Sequence, residues 1–198
     1  VWRVTLQITG TRVPDLPGNP GPAGKQCKPS SLPAARTPVQ GDIMNQTGMV
    51  QAGDTARNFS LKDQGDTTFD LYEQSGKRVL LSFHPLAWTV YCAAQMKSLE
   101  ENRDAFATLN CIPAGISVDS VPCKRAWAQS LGIKETRLLC DFWPHGAIAQ
   151  KYGIFRDENG FSERANVIVD EKQKVVFVKV YPLHSVPDIG EILAFLRK

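Results

Sequence analysis

"HPLAWTVYCAAQM", residues 84–96, is the stretch on which the fold turns. It follows "KRVLLSF", a continuous apolar run that Pro85 ends, as suits a strand buried on both faces. Beyond it, Cys92, Met96, Leu99, Phe106 and Leu109 recur at helical spacing, with Lys97, Glu100, Glu101, Arg103 and Asp104 mostly on the other side. That pattern predicts one amphipathic helix over residues 90–109. A strand, a short loop and a helix put Cys92 in the helix's first turn, where unpaired backbone N–H groups and the positive dipole end favour a thiolate. Thr89, three residues earlier, can turn its hydroxyl towards the sulfur or towards an oxygen bound beside it, and Pro85 shapes the loop. Taken alone, a cysteine on an apolar helix face is more often a packing residue than a reactive one.

The flanking sequence supplies the rest of a domain. "CIPAGISVD" reads as a second buried strand, and "VPCKRAWAQSLGI" as a second helix with Pro122 near its first turn and Gly132 near its end. Upstream, "NFSLKD" and "TTFDLYE" alternate apolar and polar residues around Gly65-Asp66, which predicts an N-terminal β-hairpin. Downstream come a strand-like "RLLC", a short helix-like "HGAIAQKYG", a hairpin of "ERANVIVD" and "KVVFVKVY", and a closing helix "VPDIGEILAFLR". This order predicts an α/β domain over residues 50–198, a mixed central sheet flanked by helices with thioredoxin-like topology.

Composition bounds the function. Hydrophobic content of 42% and charged content of 22% over 198 residues suit a core that needs no staples. No window approaches the ~18 apolar residues of a membrane span, so no membrane partner is expected. The five cysteines form no CxxC or metal-type pair, which points to reduced thiols in a cytoplasmic compartment rather than a disulfide scaffold or zinc site. His84, His145 and His184 are spread out, and no metal or organic cofactor is expected. Residues 1–43 carry three Arg and two Lys against two Asp and so account for the net charge of +3. The excess lies in a sparse tail without aromatic interleaving, which gives no reason to expect nucleic acid. With seven of the 13 prolines and five of the 15 glycines, residues 1–43 read as a disordered basic extension. It is either foreign to the native chain, with Met44 or Met49 as the natural start, or a targeting sequence or functional arm.

Pro85, Thr89 and Cys92 have the form PxxxTxxC within this strand-loop-helix setting. The arrangement resembles the active-site motif of the peroxiredoxins, the AhpC/TSA superfamily of thioredoxin-fold thiol peroxidases. The resemblance runs from about residue 53 to the C-terminus. "LLCDFWPHGAIAQKYGIF" is similar to a segment of the AhpE-type and bacterioferritin-comigratory-type members, and "ERANVIVD" brings Arg164 to the position of the family's active-site arginine. The resemblance implies that Cys92 reduces hydrogen peroxide or alkyl hydroperoxides through a sulfenic acid. It implies that Pro85, Thr89 and Arg164 complete the site, with Tyr91 and Gln95 beside the substrate. It also implies an external thiol reductant (thioredoxin, glutaredoxin or a small thiol) and a homodimer formed near the active-site loop. Three positions depart from the pattern: His84 where an aromatic residue commonly precedes the proline, Trp88 for a frequent Phe, and Gln95 where Glu or Thr often meets the arginine. Gln95 can accept a hydrogen bond from Arg164 but cannot neutralise it.

A sulfenic acid needs a thiol to return to the reduced state. Lys97 occupies the place of the resolving cysteine of many bacterioferritin-comigratory-type members. Cys123 follows a strand whose C-terminal end shares a rim with the Cys92 loop and is the resolving candidate. Cys140 is its rival, and a one-cysteine route with an external thiol is the third option. Cys111 reads as a packing residue at the opposite rim, and Cys27 as incidental to the tail. Competing functions are weaker. A disulfide reductase would want a cysteine at Gln95, and a cysteine hydrolase needs a histidine base where only His84 is near. A redox sensor or binding module that kept the thioredoxin fold would differ only in slow or absent turnover. Asp119 reads as a helix N-cap, "DFWPHG" as a capping and packing segment, and Trp88, Trp127 and Trp143 as core or interface aromatics.

Overall fold

The computed structural model describes residues 48–198; the basic extension with Cys27 and the alternative start at Met44 lie outside the described residues. The described residues begin their regular structure with a hairpin of β1 (Ser60–Lys62) and β2 (Thr68–Asp70), as the alternation predicts. Asp63 Oδ1 closes its turn by accepting from the backbone N–H groups of Gly65 and Thr67 at 2.8 and 2.9 Å. Then follow β3 (Arg78–Phe83), α1 (Val90–Glu101), α2 (Arg103–Thr108), β4 (Cys111–Ser117), α3 (Val121–Leu131) and β5 (Arg137–Cys140). The remainder is α4 (Ala147–Lys151), β6 (Phe155–Arg156), β7 (Phe161–Ser162), β8 (Arg164–Val169), β9 (Val175–Tyr181) and α5 (Ile189–Leu196).

Seven strands form one mixed sheet in the order β2-β1-β5-β4-β3-β8-β9. The central β3, β4 and β5 are parallel, while β8, β9 and β1 join antiparallel. Parallel neighbours need crossovers, which the helices between β3 and β5 supply. The small β6–β7 ribbon was not expected, because two-residue strands are too short to display a period.

Period two along each strand sorts the core into two layers. Val79, Leu81 and Phe83 of β3 join Ala165, Val167 and Val169 of β8 on one face, against Tyr152 and the N-terminal segment. Leu80 and Ile168 face the other way, onto Cys92, Met96 and Leu99 of α1, Trp127 of α3 and Leu193 of α5. Ser82 pairs with Asn166 across β3 and β8, so Arg164, two residues before Asn166, emerges on the α1 side. A one-residue slip of β8 would turn it away. Close approach of α1 to the sheet rests on Gly115 of β4, where a Cβ would collide with Met96 Sδ. Gly132 ends α3 in the left-handed conformation at φ 72°, as its sequence position suggests.

The single helix expected over residues 90–109 is two. The chain leaves helical geometry at Asn102 (ψ 14°), whose side-chain amide donates back to the Ser98 carbonyl at 2.8 Å while its own carbonyl starts α2. Glu100, expected on the polar face, is buried, and its carboxylate accepts from the backbone N–H groups of Lys134, Glu135 and Thr136. Burial alone would raise the Glu100 pKa; the N–H groups of Thr136, Lys134 and Glu135 outweigh it and hold the carboxyl below its ordinary range.

Glu100→Ala leaves those donors without an acceptor and is expected to lower unfolding stability by about 1–3 kcal/mol in urea titrations at neutral pH. Because the folded pKa is depressed, the contribution of Glu100 is present above the unfolded value of ~4.3 and is lost as pH falls through the folded one. The gap between wild type and variant should therefore close in acid.

Candidate active site

The loop between β3 and α1 ends at Thr89, whose extended backbone (φ −101°, ψ 148°) places Cys92 third in the helix. Its hydroxyl does not cap the helix or reach the sulfur; it donates to the Leu86 carbonyl at 3.1 Å and so folds the loop on itself. Pro85 is buried beneath the loop, and Trp88 holds a left-handed φ of 64°, a conformation that costs a non-glycine residue about 1–2 kcal/mol.

Cys92 Sγ is fully buried, with Arg164 Nη2 donating to it at 3.4 Å. All three nitrogens of that guanidinium donate. Nη1 donates to Gln95 Oε1, and Nε and Nη2 donate to the Leu183 carbonyl at 3.2 and 2.9 Å. Gln95 is oriented in turn by its amide, which donates to Ser82 Oγ at 2.7 Å and to the Phe83 carbonyl at 3.3 Å. Ser82 donates to Asn166 Oδ1 at 2.8 Å, and Asn166 reaches the Tyr181 hydroxyl at 3.5 Å, itself 3.3 Å from Glu191 of α5. Every anchor of the arginine is neutral, so its charge remains available to the sulfur.

Among the expected residues, Cys92, Arg164 and Gln95 meet directly, while Thr89 and Pro85 build the loop. Tyr91 lies at the rim, 40% exposed, with its ring 5.8 Å from that of His184. Cys123 occupies the first turn of α3, half-buried, with Sγ 3.6 Å from Asp119 Oδ1. Burial, then the Asp119 charge, push its thiol up. Cys140 at the end of β5 is buried and pushed up to about 11, chiefly by that burial. Cys111 pairs with Arg78 at the opposite rim, as expected, and burial pushes it up to about 12. All four are free thiols.

Sequence reasoning missed two features. Asp119 is not the N-cap of α3, a place taken by Ser120; its Oδ2 accepts from the Ala87 N–H at 2.8 Å and from Ser117 Oγ at 2.5 Å, tying the Cys92 loop to the end of β4. His84 is fully buried, with Nε2 3.1 Å from Lys124 Nζ. Of the tryptophans, Trp127 is core, but Trp88 and Trp143 are 58% and 81% exposed. Asp141 does cap α4, accepting from Ile148 and Ala149 N–H groups. No group of metal-ligating side chains occurs among the described residues.

The sequence pattern of the AhpC/TSA family matches residues 52–178. Alkyl hydroperoxide reductase E of Mycobacterium tuberculosis is 35% identical over 133 residues, covering 67% of this chain and 86% of that protein. Peroxiredoxin-2 of Mus musculus is 30% identical over 160 residues, covering 76% and 80%. Among solved structures, the reduced 2-Cys peroxiredoxin of Plasmodium vivax superposes with a TM-score of 0.67 at 29% identity, covering 74% of this chain and 80% of that one.

The Asp119 charge beside Cys123 has a measurable consequence. Asp119→Asn keeps an oxygen for the Ala87 N–H but removes the charge, and should speed alkylation of Cys123 at pH 8 by roughly threefold to tenfold. Peptide mapping after timed iodoacetamide exposure reads this directly, and an unchanged rate would mean that burial alone holds the thiol.

Proposed function

We propose, for a chain that belongs to the AhpC/TSA family, that Cys92 is the thiol through which it works. The protein is a thiol-dependent peroxidase of the peroxiredoxin type, taking a peroxide as oxidant and a thiol as reductant. The observation that carries the assignment to Cys92 is the Arg164 guanidinium 3.4 Å from its sulfur, at the first turn of a helix.

The Cys92 thiolate attacks the terminal oxygen of hydrogen peroxide or an alkyl hydroperoxide. An S–O bond forms as the O–O bond breaks, and the departing hydroxide or alkoxide takes up a proton. Negative charge thus moves from sulfur onto oxygen, and Arg164, which donates to the sulfur, is the cation that would stabilise it there. Tyr91 and Gln95 line the substrate side, Gln95 through its hold on Arg164. The resulting sulfenic acid is attacked by a thiol, which forms a disulfide and releases water. Cys123 is the internal thiol best disposed for this: it is half-buried and stands at the rim shared by the ends of β3 and β4. An external thiol (thioredoxin, glutaredoxin or a small thiol) then completes the cycle.

Two further readings belong with this one. Leu86, Trp88, Val90 and Tyr91 of the active-site loop and helix start, with Phe142 and Trp143 after β5, are exposed apolar side chains, which supports a homodimer through this surface. Four free cysteines support a reducing, cytoplasmic setting. No helix among the described residues is long and apolar enough to cross a membrane.

Intact mass after one equivalent of hydrogen peroxide, followed by peptide mapping, tests the reading. Loss of two hydrogens with Cys92 joined to Cys123 is expected. Oxygen added to Cys92 alone would assign resolution to an external thiol, and an unmodified Cys92 would overturn the assignment. Cys92→Ser should abolish peroxide consumption, and Arg164→Gln should slow it roughly 10²-fold.

A further inference from the structure

The site holds a second buried cation. Lys124 is fully buried on α3, its Nζ 3.1 Å from His84 Nε2 and 5.7 Å from the centre of the Trp127 ring. His84 Nδ1 faces the Ser82 carbonyl at 3.5 Å, so the proton belongs on Nδ1 and Nε2 accepts from the lysine. Burial first, then the charges of Lys124 and Arg164, hold the imidazole well below its ordinary pKa, so the positive charge of the pair resides on the lysine. Burial lowers Lys124 to about 8, opposed first by the Asp119 charge.

His84 at the end of β3 touches this ammonium, and the titratable groups that act on it electrostatically are Asp119 and Cys123 at the start of α3, Cys140 of β5 and Cys92 of α1. Arg164 of β8 acts on His84, whose pKa its charge lowers. No carboxylate lies within ion-pair distance of Lys124 among the described residues. Asp119, the only carboxylate that acts on it appreciably, is bound instead to Ala87, Ser117 and Cys123. A buried ammonium needs a partner. An imidazole provides one without cancelling the charge, as a carboxylate would.

We propose that Lys124 is a positioning residue for the peroxide reaction: held by neutral His84, its ammonium acts with Arg164 to keep negative charge on the Cys92 sulfur. This rests on Cys92 being the attacking thiol. The pair fixes where the cation sits, and its burial beside Trp127, in the apolar layer that also holds Cys92, weakens the screening of its field.

The test measures two things: the pH profile of Cys92 alkylation, followed by peptide mapping, and the rate of reaction with hydrogen peroxide at pH 7. Lys124→Met should move the alkylation midpoint upward by about one pH unit. It should also slow the peroxide reaction roughly tenfold. Lys124→Arg, which keeps the charge, should restore the wild-type midpoint. Where K124M does not fold, Lys124→Gln, whose amide can still donate to His84, carries the same comparison. An unmoved midpoint in a folded neutral variant, or K124R shifted as far as K124M, would overturn the proposal. Peroxide treatment of the wild type separates the two readings: failure of Cys92 to oxidise there removes the assignment of the thiol, whereas normal oxidation with an unmoved variant midpoint removes only the role of Lys124.

Discussion

The hydrogen bond from Arg164 to the Cys92 sulfur constrains the rest of the structure. It requires a helix to begin just beyond β3, and a strand beside β3 whose first residue points to the same side of the sheet. The helix start follows from the loop that Pro85 and Thr89 shape, and the side is set by the antiparallel register of β3 and β8. Ser82, Asn166 and Gln95 then convert register into aim. They form one hydrogen-bonded line from the two strands to the guanidinium, so a shift of any element would be felt at the sulfur. The apolar layers on either side of the sheet stabilise that register.

Much of this was legible in the sequence because it depends on local pattern. The run "KRVLLSFHP", the PxxxTxxC spacing and the alternation of "ERANVIVD" each report their own segment, and together they fix both partners of the central contact. The helix break at Asn102 was not legible, because a side chain that turns back to the Ser98 carbonyl leaves the apolar period nearly intact. Nor was the burial of Glu100, whose partners lie 34 to 36 residues on, in the loop before β5. Asp119 looked like a cap because it stands one residue before Ser120, but the nearby Ala87 N–H offered it another donor.

The Lys124–His84 pair left a fainter trace. Lys124, Trp127 and Ala128 are the buried residues of α3, spaced three and four apart on one face. A lysine in that row was a signal, and a histidine where an aromatic residue commonly precedes the proline was its counterpart. Neither signal could be joined to the other without the crossover that brings α3 against the end of β3, 40 residues away.

Charge balance links these features. Arg164 is anchored by an amide oxygen and a backbone carbonyl, and Lys124 by an imidazole, so each of these two buried cations has a neutral partner and no ion pair among the described residues. Gln95 and His84, two of the positions where the chain departs from the usual family residues, are the neutral partners. Asp119 supplies the opposite charge beside Cys123, which disfavours its thiolate. The two thiols therefore stand beside opposite charges: a guanidinium donates to the Cys92 sulfur, and a carboxylate accepts from that of Cys123. Premature ionisation of both would place two nucleophiles at the same rim. The arrangement favours one, and an aspartate that also fastens the active-site loop supplies the bias.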